Sequence, residues 1–158
     1  MEKLAVPMEE LVPLVTEVIS SGREFRLYPR GKSMLPTIVE GTDSVILAVP
    51  EALQVMDAVL YVRANGQYVL HRIVALRDTD CDMCGDNQCT IEKGVPRTSI
   101  LAKVTAIYHG ECRVEVTDRS YQKKLRRLYA KKPFGRILLS VKRILYPFYR
   151  RLCPASKS

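Results

Sequence analysis

Ser33 lies in the run Gly31-Lys32-Ser33-Met34-Leu35-Pro36-Thr37, and His71 in the run Tyr68-Val69-Leu70-His71-Arg72-Ile73. A serine hydroxyl attacks a carbonyl only when a neighbouring base takes its proton. The chain has 2 histidines, so bases of that type are few. An imidazole with an ordinary pKa of ~6.5 is neutral and ready for that work at pH 7. Each residue also has a plainer use. A serine beside Gly and Pro commonly hydrogen-bonds its own backbone, and a half-buried strand histidine commonly bonds a carbonyl. The surroundings of Ser33 favour chemistry: Gly31 lets backbone approach a substrate, Met34 offers a flexible apolar floor, and Pro36 fixes the turn. Lys32 and Lys103 are the other candidate bases; Lys32 adjoins the serine but is expected to point elsewhere.

The periodicity of the chain says which elements must position these groups. Leu11, Leu14, Val15, Val18 and Ile19 repeat at helical spacing over residues 8–21, with Gly22 as a stop. Pro13 inside that pattern predicts a late start or a kink. From Glu24 the period becomes two, and Phe25 and Leu27 predict a strand feeding the serine loop. Val45–Val49 reads as a buried strand. Ala58–Arg63 and Gln67–Leu76 flank Asn65-Gly66, the signature of a tight hairpin, which puts His71 on a rigid strand. Arg72 then points to the opposite face, as a surface or fold residue. Residues Thr79–Gly94 read as a polar loop, and Ile100–Tyr108 and Cys112–Thr117 as two strands joined at His109-Gly110, where His109 has no assigned role. The expected architecture is mainly β (α+β): an N-terminal helix in residues 1–23, a β domain over 24–118, and a basic amphipathic helical tail over 119–158.

Charge divides the chain at the same place. Residues 1–118 hold 12 of the 25 Lys and Arg and all 17 Asp and Glu; residues 119–158 hold the other 13 bases and no acid. Phe134, Ile137, Leu138, Val141, Leu145, Phe148 and Leu152 form an apolar stripe among the tail's bases, a pattern suited to an anionic membrane surface. Nucleic acid is disfavoured as a partner, because no base-reading motif accompanies the charge. The 5 cysteines cannot all pair, and a reducing compartment is the simpler reading. Cys81, Cys84 and Cys89 are one sulfur short of a closed zinc site with no histidine beside them, so no metal and no cofactor is assigned. Free thiols are the plain reading of that cluster, with zinc, a redox pair and a disulfide as the other readings. No apolar stretch reaches the ~18 residues of a spanning helix, and residues 1–23 lack the apolar core of an export signal. The expected location is cytoplasmic, peripheral at a membrane surface.

The Ser-Met-x-Pro-Thr run resembles the nucleophile box of the signal peptidase I family and its LexA-type relatives. His71 in its strand resembles the Ser/His branch, where His replaces the usual Lys. Gly85-Asp86-Asn87-Gln88 follows in the family's order, and the resemblance covers roughly Phe25 to Tyr108. It implies a signal peptidase/LexA-like complex β fold and a serine endopeptidase that cuts an extended peptide or propeptide through an acyl-enzyme. Ser33 would be the nucleophile and His71 the base, with Gly31, Met34, Leu35 and Pro36 along the substrate. Asp86 matches the box that supplies an orienting carboxylate, and a turn residue is its plainer reading. Glu92 stands where the Ser/His branch has a second acid, so either could orient His71. The Ser33 backbone N–H would serve the oxyanion, while Gly31 has no hydroxyl to help it. Most family members carry a spanning anchor, which this chain is expected to lack. A silent peptide-binding or membrane-peripheral adaptor module of the same fold is the alternative.

Overall fold

The computed structural model describes residues 6–133; the predicted tail beyond Pro133 lies outside the described residues. The period-two alternation folds into one antiparallel sheet: β1 (Phe25–Leu27), β2 (Asp43–Ala48), β3 (Ala58–Val62), β4 (Tyr68–Leu76), β5 (Asp80–Cys84), β6 (Glu92–Pro96), β7 (Ile100–His109) and β8 (Cys112–Glu115). Their order is β1-β2-β7-β3-β4-β5-β6, with β8 also on β7. β7 has three partners. It carries β2 along one side, and on the other β3 at Ile100–Lys103 and β8 at Ala106–His109. Among the described residues the protein is thus mainly β with two α-helices, as its alternation implies.

Helix α1 (Met8–Ser20) matches the predicted span and runs through Pro13 rather than starting after it. It buries Val15 and Ile19. Helix α2 (Arg119–Ala130) buries Tyr121, Leu125 and Tyr129, while Arg119, Lys123, Lys124, Arg126, Arg127 and Lys131 are exposed. Residues 119–130 therefore share the domain's core. The division at residue 118 marks a change of charge more than of packing. One apolar cluster joins the helices to alternate strand residues such as Val45, Leu47, Leu60 and Val104. A second holds Val59, Tyr61, Ile73, Cys81, Met83 and Val95. β3 supplies both clusters, since its successive side chains point to opposite faces.

The predicted polar loop Thr79–Gly94 is corrected: it contains β5 and the start of β6. Cys81, Met83 and Cys84 are fully buried, so cysteine acts here as a small hydrophobe. The acids that made the segment look like a loop are paired: Arg77 binds Asp80 at 2.6 Å and also Asp82. Cys89 stays exposed beyond the strand. The Asn65-Gly66 hairpin forms as expected, with the Asn65 side chain accepting from the Gln67 N–H at 3.0 Å. Among the described residues no helix is long and apolar enough to cross a membrane.

Candidate active site

Ser33 sits in the turn between β1 and β2, half-buried. Gly31 precedes it with φ +93° and open space around its missing Cβ. The positive φ is a conformation that favours glycine, and the open space is compatible with the expected approach of a substrate. Within the protein a close approach occurs at Gly85, where a Cβ would meet the Ser33 carbonyl oxygen at 2.6 Å. The whole Gly85-Asp86-Asn87 box grips the serine turn. The Asn87 N–H donates to the Ser33 carbonyl at 2.8 Å, the Asn87 side chain donates to the Lys32 carbonyl at 3.2 Å, and the Thr37 hydroxyl bonds the Asp86 carboxylate. Lys132, just past α2, holds the box from behind, donating to the Gly85 carbonyl at 2.9 Å and to that of Gln88.

His71 and Arg72 are neighbours on β4 and face opposite ways, which strand parity requires. The Arg72 side is closed. Its guanidinium meets Asp86 at 2.8 and 2.6 Å and the Met56 carbonyl at 2.8 Å, and the Tyr129 hydroxyl donates to Asp86 at 2.7 Å. Arg72 is therefore a buried fold residue, not a surface one. Burial pushes the Asp86 carboxyl up, but Arg72, Thr37 and Tyr129 more than offset it and hold the group below its ordinary range. Asp86 makes no hydrogen bond to His71; its oxygens serve the scaffold.

On the other face His71 meets Tyr61, whose hydroxyl lies 3.3 Å from Nδ1. The same hydroxyl donates to Glu92 at 2.7 Å. A phenol has one proton, so with that proton on Glu92 its oxygen accepts from His71 Nδ1–H. The neutral imidazole then keeps a lone pair on Nε2. Arg63 anchors the far end, paired to Glu92 at 2.7 Å. Of the two acids left open by the sequence, Glu92 is thus the one connected to His71, through Tyr61. Burial in Glu92 is outweighed by the Arg63 and Tyr61 bonds, which hold its carboxyl below the usual range. Burial, then the Arg63 charge, lowers His71 to about 4, with Glu92 and Asp86 pulling the other way. His71 is neutral across the physiological range.

Ser33 and His71 line one cleft of ≈ 230 Å³, walled by Met34, Ile38, Arg63, Tyr68, Leu70 and Gln88 among others. An adjoining lobe of ≈ 440 Å³ shares His71, Arg63 and Gln88 and adds Met83, Cys89, Thr90 and Glu92. Of the four residues expected along a substrate, Gly31 and Met34 line the cleft; Leu35 and Pro36 do not, and their peptide bond is cis. Lys32 is exposed, and Lys103 is paired with Asp57 at 3.0 Å, so neither candidate lysine base joins the site. His109 pairs with Asp43 at 2.9 Å on β2. Sequence reasoning missed Tyr61, Arg63, Gln88, Tyr129 and Lys132. The signal for Tyr61 was present, since in a tight hairpin it lies diagonal to His71 on the same face. Among the described residues no cluster of His, Cys, Asp and Glu is arranged to hold a metal. No family model, curated protein or solved structure matches the chain.

Proposed function

We propose that the protein is a serine endopeptidase of signal peptidase type, with Ser33 as nucleophile and His71 as general base. The observation that carries this reading is the shared cleft: two boxes 38 positions apart in sequence, Ser33 and His71, line it together, and His71 Nδ1 is tied off through Tyr61 to Glu92. That leaves Nε2 to take the Ser33 proton and later to return it to the leaving amine. The resemblance of the three ordered boxes to the signal peptidase/LexA-like fold supports the same conclusion.

The substrate would bind extended. β4 pairs with β3 over Tyr68–Arg72, but its pairing with β5 begins only at Arg72. The other edge of Tyr68–His71 therefore has no strand partner among the described residues and lines the cleft. Backbone of Tyr68 and Leu70 is placed to receive a peptide as an added strand. Small side chains near the cut are the preference implied by the resemblance. The outer face of α2, with its exposed bases, suits an anionic membrane surface as the place of work.

A second reading is a binding module that holds peptides without cutting them. It is favoured by one observation: among the described residues no hydrogen bond joins Ser33 to His71. Such contacts often tighten only when substrate arrives. Reaction with a short alanyl peptide p-nitrophenyl ester separates the readings. A peptidase gives a burst of nitrophenol and an acyl group on Ser33, abolished in Ser33→Ala. No burst, or a burst unchanged in Ser33→Ala, excludes the dyad.

A further inference from the structure

Attack on a carbonyl leaves a negative oxygen, and the enzyme must aim donors at it. The Ser33 N–H is one donor, and Gly31 has no side chain to provide another. Gln88 has a primary amide with two N–H donors. It lines both lobes of the cleft, beside Ser33 in one and beside His71 in each. Its backbone is fixed on both sides: its N–H donates to the Gly85 carbonyl at 3.0 Å, and its carbonyl accepts from Lys132 and from the Cys84 thiol at 3.3 Å. Its side chain makes no hydrogen bond among the described residues. A Cβ placed on Gly85 would stand 2.6 Å from the Ser33 carbonyl oxygen and 2.9 Å from Gln88 Oε1. The Gln88 amide oxygen therefore lies no more than 5.5 Å from the Ser33 carbonyl oxygen. Half a turn about the last side-chain bond exchanges that oxygen for the NH2 group.

We propose that Gln88 is a catalytic residue whose Nε2 donates to the oxyanion formed at Ser33. This rests on the serine peptidase reading above. In the step concerned, Ser33 Oγ bonds the carbonyl carbon, its proton passes to His71 Nε2, and the carbonyl π pair moves onto oxygen. There it is met by the Ser33 N–H and the Gln88 amide. Collapse reforms the carbonyl and expels the amine, which takes the proton from His71. Lys132 is a positioning residue in this scheme, holding the main chain from which the amide projects. Its attachment makes the turn after α2 part of the catalytic support.

The test uses the full chain and the acylation burst with the alanyl peptide p-nitrophenyl ester. Gln88→Ala is expected to slow acylation by ~10²-fold, as for loss of one oxyanion donor, with little change in KM. Gln88→Glu keeps the size but sets a negative charge beside the oxyanion. It is expected to be slower than Gln88→Ala at pH 7, and to recover as the pH is lowered towards 5 and the carboxyl becomes a donor. A packing role predicts the reverse order, with the isosteric Glu milder than Ala. Acylation of Gln88→Ala within twofold of the parent, or Gln88→Glu faster than Gln88→Ala at pH 7, overturns the proposal. A parent that never acylates at Ser33 is a different result: it removes the peptidase reading and this residue's role with it.

Discussion

The two faces of β4 present two versions of the same chemical set. Behind the strand, Arg72, Asp86 and Tyr129 form an arginine–carboxylate–tyrosine group whose ion-paired side chains are 2% and 0% exposed. In front, Arg63, Glu92 and Tyr61 form another, with its ion pair 30% and 32% exposed and His71 added. In the rear group every buried side-chain nitrogen and oxygen among the described residues has a hydrogen-bond partner. The front group borders a cavity and ends on an imidazole with one nitrogen uncommitted. Similar residue types thus make a strut where water is excluded and a candidate site where a cleft opens beside them. The difference lies in enclosure and in what the last member of the chain still has to give.

The contrast is sharpest under mutation. Asp86→Ala strands Arg72 in the core, and removal of one partner of a buried pair costs about 3–5 kcal/mol. Urea unfolding should show that loss, with the Ser33 loop and activity lost as the fold fails. Glu92→Gln should leave stability within about 1 kcal/mol, as for an exposed pair. It should instead slow acylation on the order of 10²-fold while the unfolding midpoint barely moves. Equal stability losses at the two positions would erase the distinction between strut and site. Tyr61→Phe keeps the packing and cuts the link from Glu92 to His71. About a tenfold fall in kcat with KM unchanged is expected, read by steady-state turnover.

The same contrast has a consequence for pH. With His71 at about 4, the acid limb of kcat/KM should fall near pH 4 instead of near the ordinary ~6.5. Between those values the unfolded chain binds a proton on this residue that the folded chain refuses. Stability therefore falls as pH drops from 6.5 to 4, by up to ~3 kcal/mol. His71→Gln should flatten that part of the curve, which denaturant titrations at a series of pH values would reveal. Below it, Asp86 and Glu92, both held low, add their own loss as they take protons. A limb at 6.5 would mean that His71 is solvated like an exposed imidazole.

The hairpin around Asn65-Gly66, β2, β7, β8 and helix α1 were legible because local pattern and tertiary environment agree there. Ser33 and His71 were legible as types in context. β5 was hidden because Asp80 and Asp82 dominate its character, and nothing local says that Arg77 neutralises them or that Cys81 and Cys84 are core. The choice between Asp86 and Glu92 could not be made along the chain. It depends on Arg72 claiming the first and Tyr61 reaching the second, both decided by which face of β4 each meets. Lys132 and Gln88 were illegible for a related reason. One stood in the basic run and the other at the end of the Gly85-Asp86-Asn87-Gln88 box, and neither place along the chain says that it meets the other or borders the cleft.

The position of β7 has a consequence for how the molecule comes into being. In the hydrogen-bond order of the sheet, β1 and β2, which flank the Ser33 turn, are linked to the β3–β4 hairpin, whose second strand carries His71, through β7. A chain still emerging from synthesis, complete through Ser99, already possesses all three boxes yet lacks the strand that seats one half beside the other. Pairings of such long sequence separation form late because their loops must close first. Ser33 and His71 would then take their places in the shared cleft only once residues 100–109 arrive.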